Sequence, residues 1–298
     1  MKFTSDGKAQ KLEMLKHKIT YSHLRTLFLI PSVVWIIIFF VVPVILVLIF
    51  SFFERGVYGG VENHITLNNF SLIFDDLYYK TIIRTFLIAF LNATLCLLAG
   101  YPLACYISTR SNNKLKNTLL ILVLLPFWTN FLIRTFSWMM ILGNEGLINS
   151  ILIKFQIINK PIELLYTPFA VQLGLLYNYL PFMVLPLYAS IEKIDKNLYL
   201  ASNDLGANSF KTFWNVTLPL SRSGILLGLF LVFIPSLGEF VTPDLLGGAK
   251  SPMLGNIIKD QFLTARNWPF GSALVFIIMM AILFALILRN KIFNLRTT

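Results

Sequence analysis

Residues 27–53 read LFLIPSVVWIIIFFVVPVILVLIFSFF, an apolar run that contains no charged residue. An α-helix of about 20 apolar residues spans the hydrocarbon core of a bilayer, so this run predicts a membrane-spanning helix. The apolar region of a cleaved signal peptide is only about 7–15 residues long, so a signal peptide does not fit the run. Because the polar residues 1–26 precede it, we expect a polar tail followed by a retained helix.

Five further apolar runs follow along the chain, and together the six predict an all-α membrane protein with six transmembrane helices. Of the 298 residues, 56% are hydrophobic and 13% are charged, whereas soluble domains carry about 25% charged residues. This composition excludes a soluble domain, a disordered chain, a disulfide-stapled secreted scaffold and an outer-membrane barrel. The further runs lie at about 81–107, 117–142, 163–190, 222–246 and 270–288, within a membrane domain of residues 27–290 that a short tail, residues 291–298, follows.

The distribution of Lys and Arg predicts that both termini are cytoplasmic. Most of the 25 Lys and Arg residues fall in the two tails and in the loops at 108–116 and 191–222. Loops rich in Lys and Arg stay on the cytoplasmic side of a membrane. This asymmetry also accounts for the net charge of +11, so we expect no nucleic-acid partner.

The motifs that would indicate an enzyme are missing. The chain has no G-x-x-x-x-G-K-[ST] loop for nucleotide hydrolysis, no G-x-S-x-G nucleophile motif and no H-E-x-x-H metal motif. Cys96 and Cys105 are nine residues apart on one predicted helix, about 13 Å along its axis, which is too far for a disulfide. We therefore expect a transport component or a channel that binds no metal and no cofactor itself.

The loop at 191–222 carries the most informative pattern. Its residues 198–219 read LYLASNDLGANSFKTFWNVTLP, and apolar residues recur at helical spacing on both sides of Gly206. This pattern predicts two short helices separated by a glycine break. From the pattern alone, the helices either present a shaped knob to a partner protein or lie on the membrane surface as an amphipathic element.

This loop resembles that of the membrane subunits of binding-protein-dependent ABC importers, whose pattern is E-A-A-x-x-x-G-x9-I-x-L-P. Every spacing of the pattern is kept, but Leu200 replaces the Glu, Ser202 replaces the second Ala and Val216 replaces the Ile. The resemblance implies a coupling helix that docks into a cleft of an ATPase, with Asp204 as the nearest remaining carboxylate. The residues implied in coupling are Leu200, Ala201, Ser202, Asp204, Gly206, Ala207, Val216, Leu218 and Pro219.

The resemblance extends along most of the chain. Residues 125–134 (LPFWTNFLIR), 180–188 (LPFMVLPLY), 235–240 (PSLGEF) and 267–271 (NWPFG) are similar to stretches of polyamine-importer permeases. It implies the architecture of a type I ABC importer permease in the bacterial inner membrane, which passes spermidine or putrescine into the cytoplasm. The implied partners are a second, homologous permease, two copies of an ATPase that uses ATP and Mg, and an external polyamine-binding protein.

Two other transport functions fit much of the same sequence. An ABC permease for another small cationic solute would share these motifs. A self-sufficient secondary transporter would need inverted repeats and several charged coupling residues in broken helices, and the spans hold few charges besides Glu239 and Arg134. An integral membrane enzyme is disfavoured by the lack of paired acids, metal ligands and nucleophile motifs.

Glu239 is the first candidate for a polyamine pathway, because ammonium groups bind carboxylates and the faces of aromatic rings. It follows Pro235 and Gly238, which weaken the helix and for which we expect a structural or gating role. An intramembrane carboxylate is a functional candidate by default. The other interpretation of Glu239 is a structural ion pair with Arg134 or with a cation of a partner subunit.

The remaining candidates follow from charge and aromatic character. Asp244 either helps to receive a cation from the binding protein or is a solvated charge at a helix end. Arg134 would repel a cationic substrate, so together with Asn130 we expect it to have a structural or gating role, pairing with Glu239 or capping carbonyls. The aromatic candidates, a class found more often in cores and interfacial belts than in binding sites, are Trp128, Trp138, Tyr177 and Tyr179.

Overall fold

The computed structural model describes residues 29–294, with the backbone alone at residues 250, 285 and 288–294. The predicted polar tail at 1–26 and residues 295–298 lie outside the described residues. The helices are α1 Leu29–Phe50, α2 Asn68–Leu72, α3 Asp76–Ser108, α4 Asn113–Leu124, α5 Phe131–Leu142, α6 Leu147–Lys154, α7 Pro168–Ile191, α8 Lys196–Asp204, α9 Ser209–Leu220, α10 Arg222–Leu237, α11 Leu254–Leu263 and α12 Trp268–Asn294.

Short irregular segments complete the architecture. The strands β1 Phe53–Arg55 and β2 Val61–Ile65 form one antiparallel hairpin between α1 and α2. A 3₁₀ turn at Leu125–Trp128 joins α4 to α5. A π-helical turn at Pro243–Gly247 follows α10.

The structure confirms a predominantly helical membrane protein, but the six uninterrupted spans are not confirmed. Within the described residues, four helical segments are long and apolar enough to cross a bilayer, and a fifth results if α9 and α10, bent by 66°, count as one span. The apolar part of α12, Trp268–Phe284, is shorter than the segments that meet this criterion. The four segments are Leu29–Phe50, Asp76–Ser108, Phe131–Lys154 and Pro168–Ile191.

Two predicted spans are broken, each for a local reason. The run at 117–142 is interrupted at Thr129 and Asn130, where a 3₁₀ turn that contains Pro126 ends and the Asn130 side chain caps α5. The run at 222–246 is interrupted at residues 238–240, where Gly238 ends α10, and is helical again from Val241. Apolar runs therefore locate the membrane segments but not the breaks inside them.

Many of the helices begin at a residue whose side-chain oxygen accepts a hydrogen bond from a free backbone N–H of the first turn. The Asn130 side chain accepts from the Leu132 N–H at 2.8 Å, and Thr167 accepts from the Ala170 N–H at 3.2 Å ahead of Pro168. The other helices that begin in this way have Asn112, Asp195 and Asn208 at the capping position.

The core of the molecule is formed by α3, α7 and α10, each of which packs against the other two. Buried glycines on α3 and α10 let these helices approach α7 closely. A Cβ atom on Gly100 would lie 3.2 Å from Met183 Cγ, and one on Gly224 would lie 2.5 Å from Ser190 Cβ. Small residues have this role at helix contacts in membranes, where van der Waals packing replaces the hydrophobic effect as the main attraction.

We predict that Gly224→Ala destabilises the contact of α10 with α7. The new methyl group would also lie 2.6 Å from the Pro186 carbonyl oxygen, and backbone cannot move aside as a flexible side chain can. Overpacking of this kind costs about 1–3 kcal/mol of unfolding free energy, which a lower thermal midpoint of the purified protein in detergent would report.

Gly143→Ala is the matched control, because a Cβ atom there would lie 3.5 Å from the nearest atom, the Met139 oxygen, at ordinary contact distance. Equal thermal midpoints for the two variants would contradict the close-packing argument.

Candidate functional site

The loop between α7 and α10 consists of two short helices, as the sequence pattern predicts. The Asp195 side chain accepts from the Asn197 N–H at 2.9 Å and starts α8. The Asn208 side chain accepts from the Lys211 N–H at 2.9 Å and starts α9. Gly206 separates the two helices with a φ of +74°.

Position 206 requires a glycine because of its backbone conformation, and not because a larger side chain would clash with its neighbours. No atom lies within 4 Å of the position that its Cβ would take, but a positive φ strains residues with a Cβ. The Gly206 N–H donates to the Asn203 oxygen at 2.9 Å, and the Ala207 N–H donates to the Ser202 oxygen at 3.0 Å. These bonds satisfy carbonyls that the end of α8 would otherwise leave free.

Ser202 connects the two helices of the loop. Its hydroxyl lies 2.8 Å from the Thr212 hydroxyl on α9, and Thr212 is buried. Ser202 replaces an alanine of the pattern discussed above, so the substitution adds a polar contact inside the loop. The angle between α8 and α9 is thereby held by a side-chain contact as well as by Gly206.

Four apolar side chains of the loop are exposed, and we call them the loop patch: Leu200, Leu205, Phe210 and Trp214. These side chains are 60%, 88%, 70% and 52% exposed, respectively, and the rings of Phe210 and Trp214 lie 6.2 Å apart. Exposed apolar patches of this kind mark interaction sites. Leu200, where the pattern has Glu, thus contributes apolar surface instead of a charge.

The other predicted coupling residues lie around this patch and behind it. Asp204 is exposed at the last position of α8, and Ala201 is exposed as well. Val216 is half-buried in the π-helical part of α9, whereas Leu218 packs against the core. Pro219 is half-buried in the last turn before α10.

Tyr101 of α3 anchors the corner between α9 and α10, a contact that sequence reasoning missed. Its hydroxyl lies 2.7 Å from the Ser221 hydroxyl at the corner. Its ring packs edge to face against Phe213 of α9 with the centroids 5.5 Å apart. The loop is therefore attached to the helical core and is not a free appendage.

Glu239 lies in the break that follows α10. Its Oε1 accepts from the backbone N–H groups of Val241 at 3.0 Å and Thr242 at 3.2 Å, and its Oε2 accepts from the Tyr179 hydroxyl at 2.7 Å. Tyr179 was one of the aromatic candidates, but its contact with Glu239 was not predicted, because no spacing signal connects two residues 60 positions apart. The exposed Gly238 and Pro235 border this carboxylate.

Arg134 does not pair with Glu239, so that prediction was wrong. Tyr177 packs beside Trp138, one helical turn beyond Arg134, with ring centroids 5.6 Å apart, while Tyr179 binds Glu239. Successive residues of an α-helix rotate by about 100°, so Tyr177 and Tyr179 leave α7 on opposite sides. Phe127 and Phe182 lie between the two groups: Arg134 faces Phe127, which packs on Phe182, and the Phe182 ring lies 6.2 Å from that of Tyr179.

Arg134 borders an open cavity of about 290 Å³. Its Nε and Nη1 atoms are enclosed and have no hydrogen-bond partner among the described residues. The guanidinium carbon lies 5.4 Å from the Phe127 ring centroid and 5.9 Å from that of Phe131. We call this space the Arg134 cavity; its lining residues are Thr129, Ile133, Arg134, Ser137, Trp138, Ile141 and Tyr177.

Asp244 is already occupied by polar groups of the chain. It accepts from the Asn256 amide and from the Lys259 ammonium, the latter at 2.5 Å. The hydrogen bond to Asp244 raises the pKa of Lys259, so this lysine stays charged at neutral pH. The Lys259 ammonium also lies 3.5 Å from Asp260. A cation that binds Asp244 must displace this lysine.

The core of α3, α7 and α10 contains a buried polar group that the sequence did not reveal. The Asn92 amide donates to the Ser236 hydroxyl at 2.9 Å, and the Gln172 amide donates to the Asn92 oxygen at 3.4 Å. Asn178, also buried, has no partner for either side-chain polar atom among the described residues.

The candidate Trp128 is largely exposed at the end of the 3₁₀ turn.

Comparison with known proteins identifies relatives over nearly the full length. The profile of the family "binding-protein-dependent transport system inner membrane component" matches residues 97–297. The spermidine/putrescine transport system permease protein PotB of Haemophilus influenzae is 43% identical over 263 residues, covering 87% of this chain and 92% of that protein. PotB of Escherichia coli is 40% identical over 245 residues, with 82% and 89% covered, respectively.

Solved structures show the same fold at low identity. A bacterial ABC transporter involved in the import of the acidic polysaccharide alginate matches with a TM-score of 0.70 at 18% identity, covering 94% of this chain and 99% of that one. The MetNI methionine ABC transporter in inward-facing conformations matches with a TM-score of 0.52 at 17% identity, covering 72% and 93%.

We predict that Tyr179→Phe lowers stability by removing the hydrogen bond to Glu239. A hydrogen bond to a charged group contributes about 1.5–3 kcal/mol, so the thermal midpoint of the purified protein should fall. Tyr177→Phe is the control: it keeps the ring contact with Trp138 and removes a hydroxyl that has no hydrogen-bond partner among the described residues. Equal effects of the two changes would contradict the prediction.

Proposed function

The chain belongs to the family of binding-protein-dependent transport system inner membrane components, and from this premise we propose that it is the membrane-spanning permease subunit of an ATP-driven polyamine importer. The family expected from the loop pattern is thereby confirmed. The chain is a multi-pass protein of the inner membrane and a transport subunit, not an enzyme.

Spermidine and putrescine are the proposed substrates because relatives named for their transport align with most of this chain. The identity of 43% extends over 92% of one such permease. The alternative is an ABC permease for another small cationic solute. A self-sufficient secondary transporter is the less favoured alternative, since the family consists of components of binding-protein-dependent systems.

The observation that carries the proposal is the loop between α7 and α10. A helix, a glycine with φ of +74° and a second helix present the loop patch outward, and an apolar knob of this shape suits a cleft in a partner. We propose that this partner is the ATPase. ATP with Mg would be bound there, since this chain has no nucleotide-binding loop.

The remaining partners are part of the same proposal. They are a second, homologous permease, two copies of the ATPase and an external polyamine-binding protein. A related fold has been solved as an alginate ABC transporter in complex with an alginate-bound periplasmic protein, and this precedent supports docking of a binding protein on the outer face. The external protein would supply most of the affinity, so the permease needs only a weak site.

For the cation itself, we propose Glu239 as the main charge on the pathway. Its carboxylate is half-buried in a helix break and is oriented by Tyr179. Irregular backbone at membrane depth is tolerated where it faces protein or a water-filled cavity. Asp244, Trp128, Trp138 and Tyr177 remain proposed secondary contacts, with Lys259 as the group that a cation would have to displace at Asp244.

Co-purification tests the proposal directly. The tagged chain, extracted in mild detergent from cells that express the whole transport system, should carry an ATPase and a second permease. Its ATPase activity should rise when spermidine-loaded binding protein is added. A chain that is recovered alone and still transports after reconstitution would refute the importer and favour a secondary transporter.

We predict that Gly206→Val uncouples ATP hydrolysis from uptake. A β-branched residue at positive φ is strongly disfavoured, at a cost of about 1–2 kcal/mol, so the angle between α8 and α9 must change. Uptake into proteoliposomes should fall by about tenfold or more at unchanged membrane insertion.

Gly206→Asn is the matched control for this change, because Asn tolerates the left-handed conformation. It adds polar bulk at the same exposed position but should keep most of the uptake. If both variants lose uptake equally, or if Val retains it, the role of the glycine conformation is refuted.

We predict that Glu239→Gln lowers spermidine uptake more than it lowers assembly of the complex. The amide keeps the shape of the side chain but loses the charge that attracts an ammonium group. Uptake and co-purified ATPase should be measured on the same preparations, with Glu163→Gln, a carboxylate in the segment before α7, as the control. Equal losses of uptake and assembly would indicate a purely structural role for Glu239.

A further inference from the structure

Arg134 lies at the middle depth of the helical bundle. Phe127, which it faces, packs against Phe182 with ring centroids 5.0 Å apart, and Trp138 packs against Tyr177. Tyr177 and Phe182 are each nine residues from the nearer end of α7, about 14 Å along the axis. That distance is close to half the thickness of the hydrocarbon core, about 15 Å.

A guanidinium at this depth needs hydrogen-bond acceptors. Its enclosed Nε and Nη1 atoms have no acceptor among the described residues, and the rings of Phe127 and Phe131 lie within 6 Å of its guanidinium carbon. Aromatic faces attract the charge but accept none of the directed bonds that five guanidinium N–H groups can donate. Charged residues within a membrane are paired or face a water-filled cavity.

The exposed face of α5 shows where an acceptor can enter. Thr129, Ile133, Ser137 and Ile141 repeat every four residues along one side of the Arg134 cavity. The Thr129 and Ser137 hydroxyls bond to backbone oxygens of their own segment, at 2.8 Å in both cases. Small residues with satisfied polar groups are typical of faces where a further membrane helix packs closely.

We propose that this face of α5 contacts the second permease subunit and that a carboxylate of that subunit enters the Arg134 cavity and pairs with Arg134. This inference rests on the proposed function, because the second permease is part of it. A planar carboxylate matches the guanidinium fork and can accept two parallel hydrogen bonds. The cavity of about 290 Å³ has room for the side chain, and Trp138 and Tyr177 flank it.

A lipid phosphate is a poorer occupant because the headgroups lie about 15 Å from the middle of the bilayer. A lumen-facing, unpaired Arg134 would repel the polyamine. Neutralised by a carboxylate of the partner, Arg134 no longer opposes the cation and instead fixes the register of the two permeases. The anionic acceptor is therefore best supplied by the subunit that shares the pathway.

Charge reversal tests the pair in the complete complex. Arg134→Glu should reduce the amount of second permease recovered with the tagged chain by at least about tenfold, since it places two carboxylates together. Arg134→Lys keeps the charge but loses the fork, so its loss should be smaller. Lys80→Glu, a charge reversal at an exposed i,i+4 pair with Asp76 on α3, should leave recovery unchanged.

Compensation identifies the partner group. In the Arg134→Glu background, each membrane-embedded Asp or Glu of the second permease is changed in turn to Arg. One of these changes should restore both recovery of the complex and spermidine uptake. The yield and monodispersity of the tagged chain are followed throughout, so that a folding failure is recognised, and the Arg134→Lys variant then carries the comparison.

Three results would overturn the inference. Unchanged assembly with lost or altered uptake would place Arg134 on the lumen. Restoration by none of the reversed carboxylates would refute the pair, and dependence of recovery on anionic lipid alone would assign the cavity to a lipid. Failure of the wild-type chain to recover any second permease would instead refute the proposed function, so the two failures are distinguishable.

Discussion

Close packing of α7 against α3 and α10 is the constraint on which the other features depend. Gly100 on α3 and Gly224 on α10 remove the side chains that would hold the helices apart, and Met183 of α7 fills the space beside Gly100 and Gly228. In a bilayer, attraction between helices comes from such contacts, because lipid tails are as apolar as the side chains they replace. A shift of α7 would therefore disturb both neighbours.

The same helix organises the charges of the membrane region. Tyr179 holds Glu239, while Tyr177 and Phe182 contact the segment that carries Arg134. An ion pair between the two side chains would neutralise both charges. Neither side chain could then bind a substrate or a group of a partner subunit. Because the two side chains do not pair, Glu239 can bind a cation and Arg134 can bind an anion, as we propose above.

The sequence predicted the features that follow from local patterns and missed those that depend on contacts over long distances. The loop helices and the break at Gly206 follow from spacing alone, because a positive φ favours glycine. The break at Asn130 was missed because one capping residue hardly changes the hydropathy of a long apolar run. The partners of Glu239 and Asp244, namely Tyr179 and Lys259, lie 60 and 15 residues away, and no periodicity relates them.

The attachment of the loop to the core determines how it can transmit a force. Leu218 and Phe213 pack against the core cluster, and Tyr101 holds the corner between α9 and α10 through Ser221. On the other side of the loop, the Lys116 ammonium lies 2.6 Å from Glu192, directly after α7. If the loop patch docks on the ATPase as proposed, a movement of the loop would reach α10 through a supported corner and α7 at its end. Since Glu239 follows α10 and is held by α7, both routes would lead to the same carboxylate.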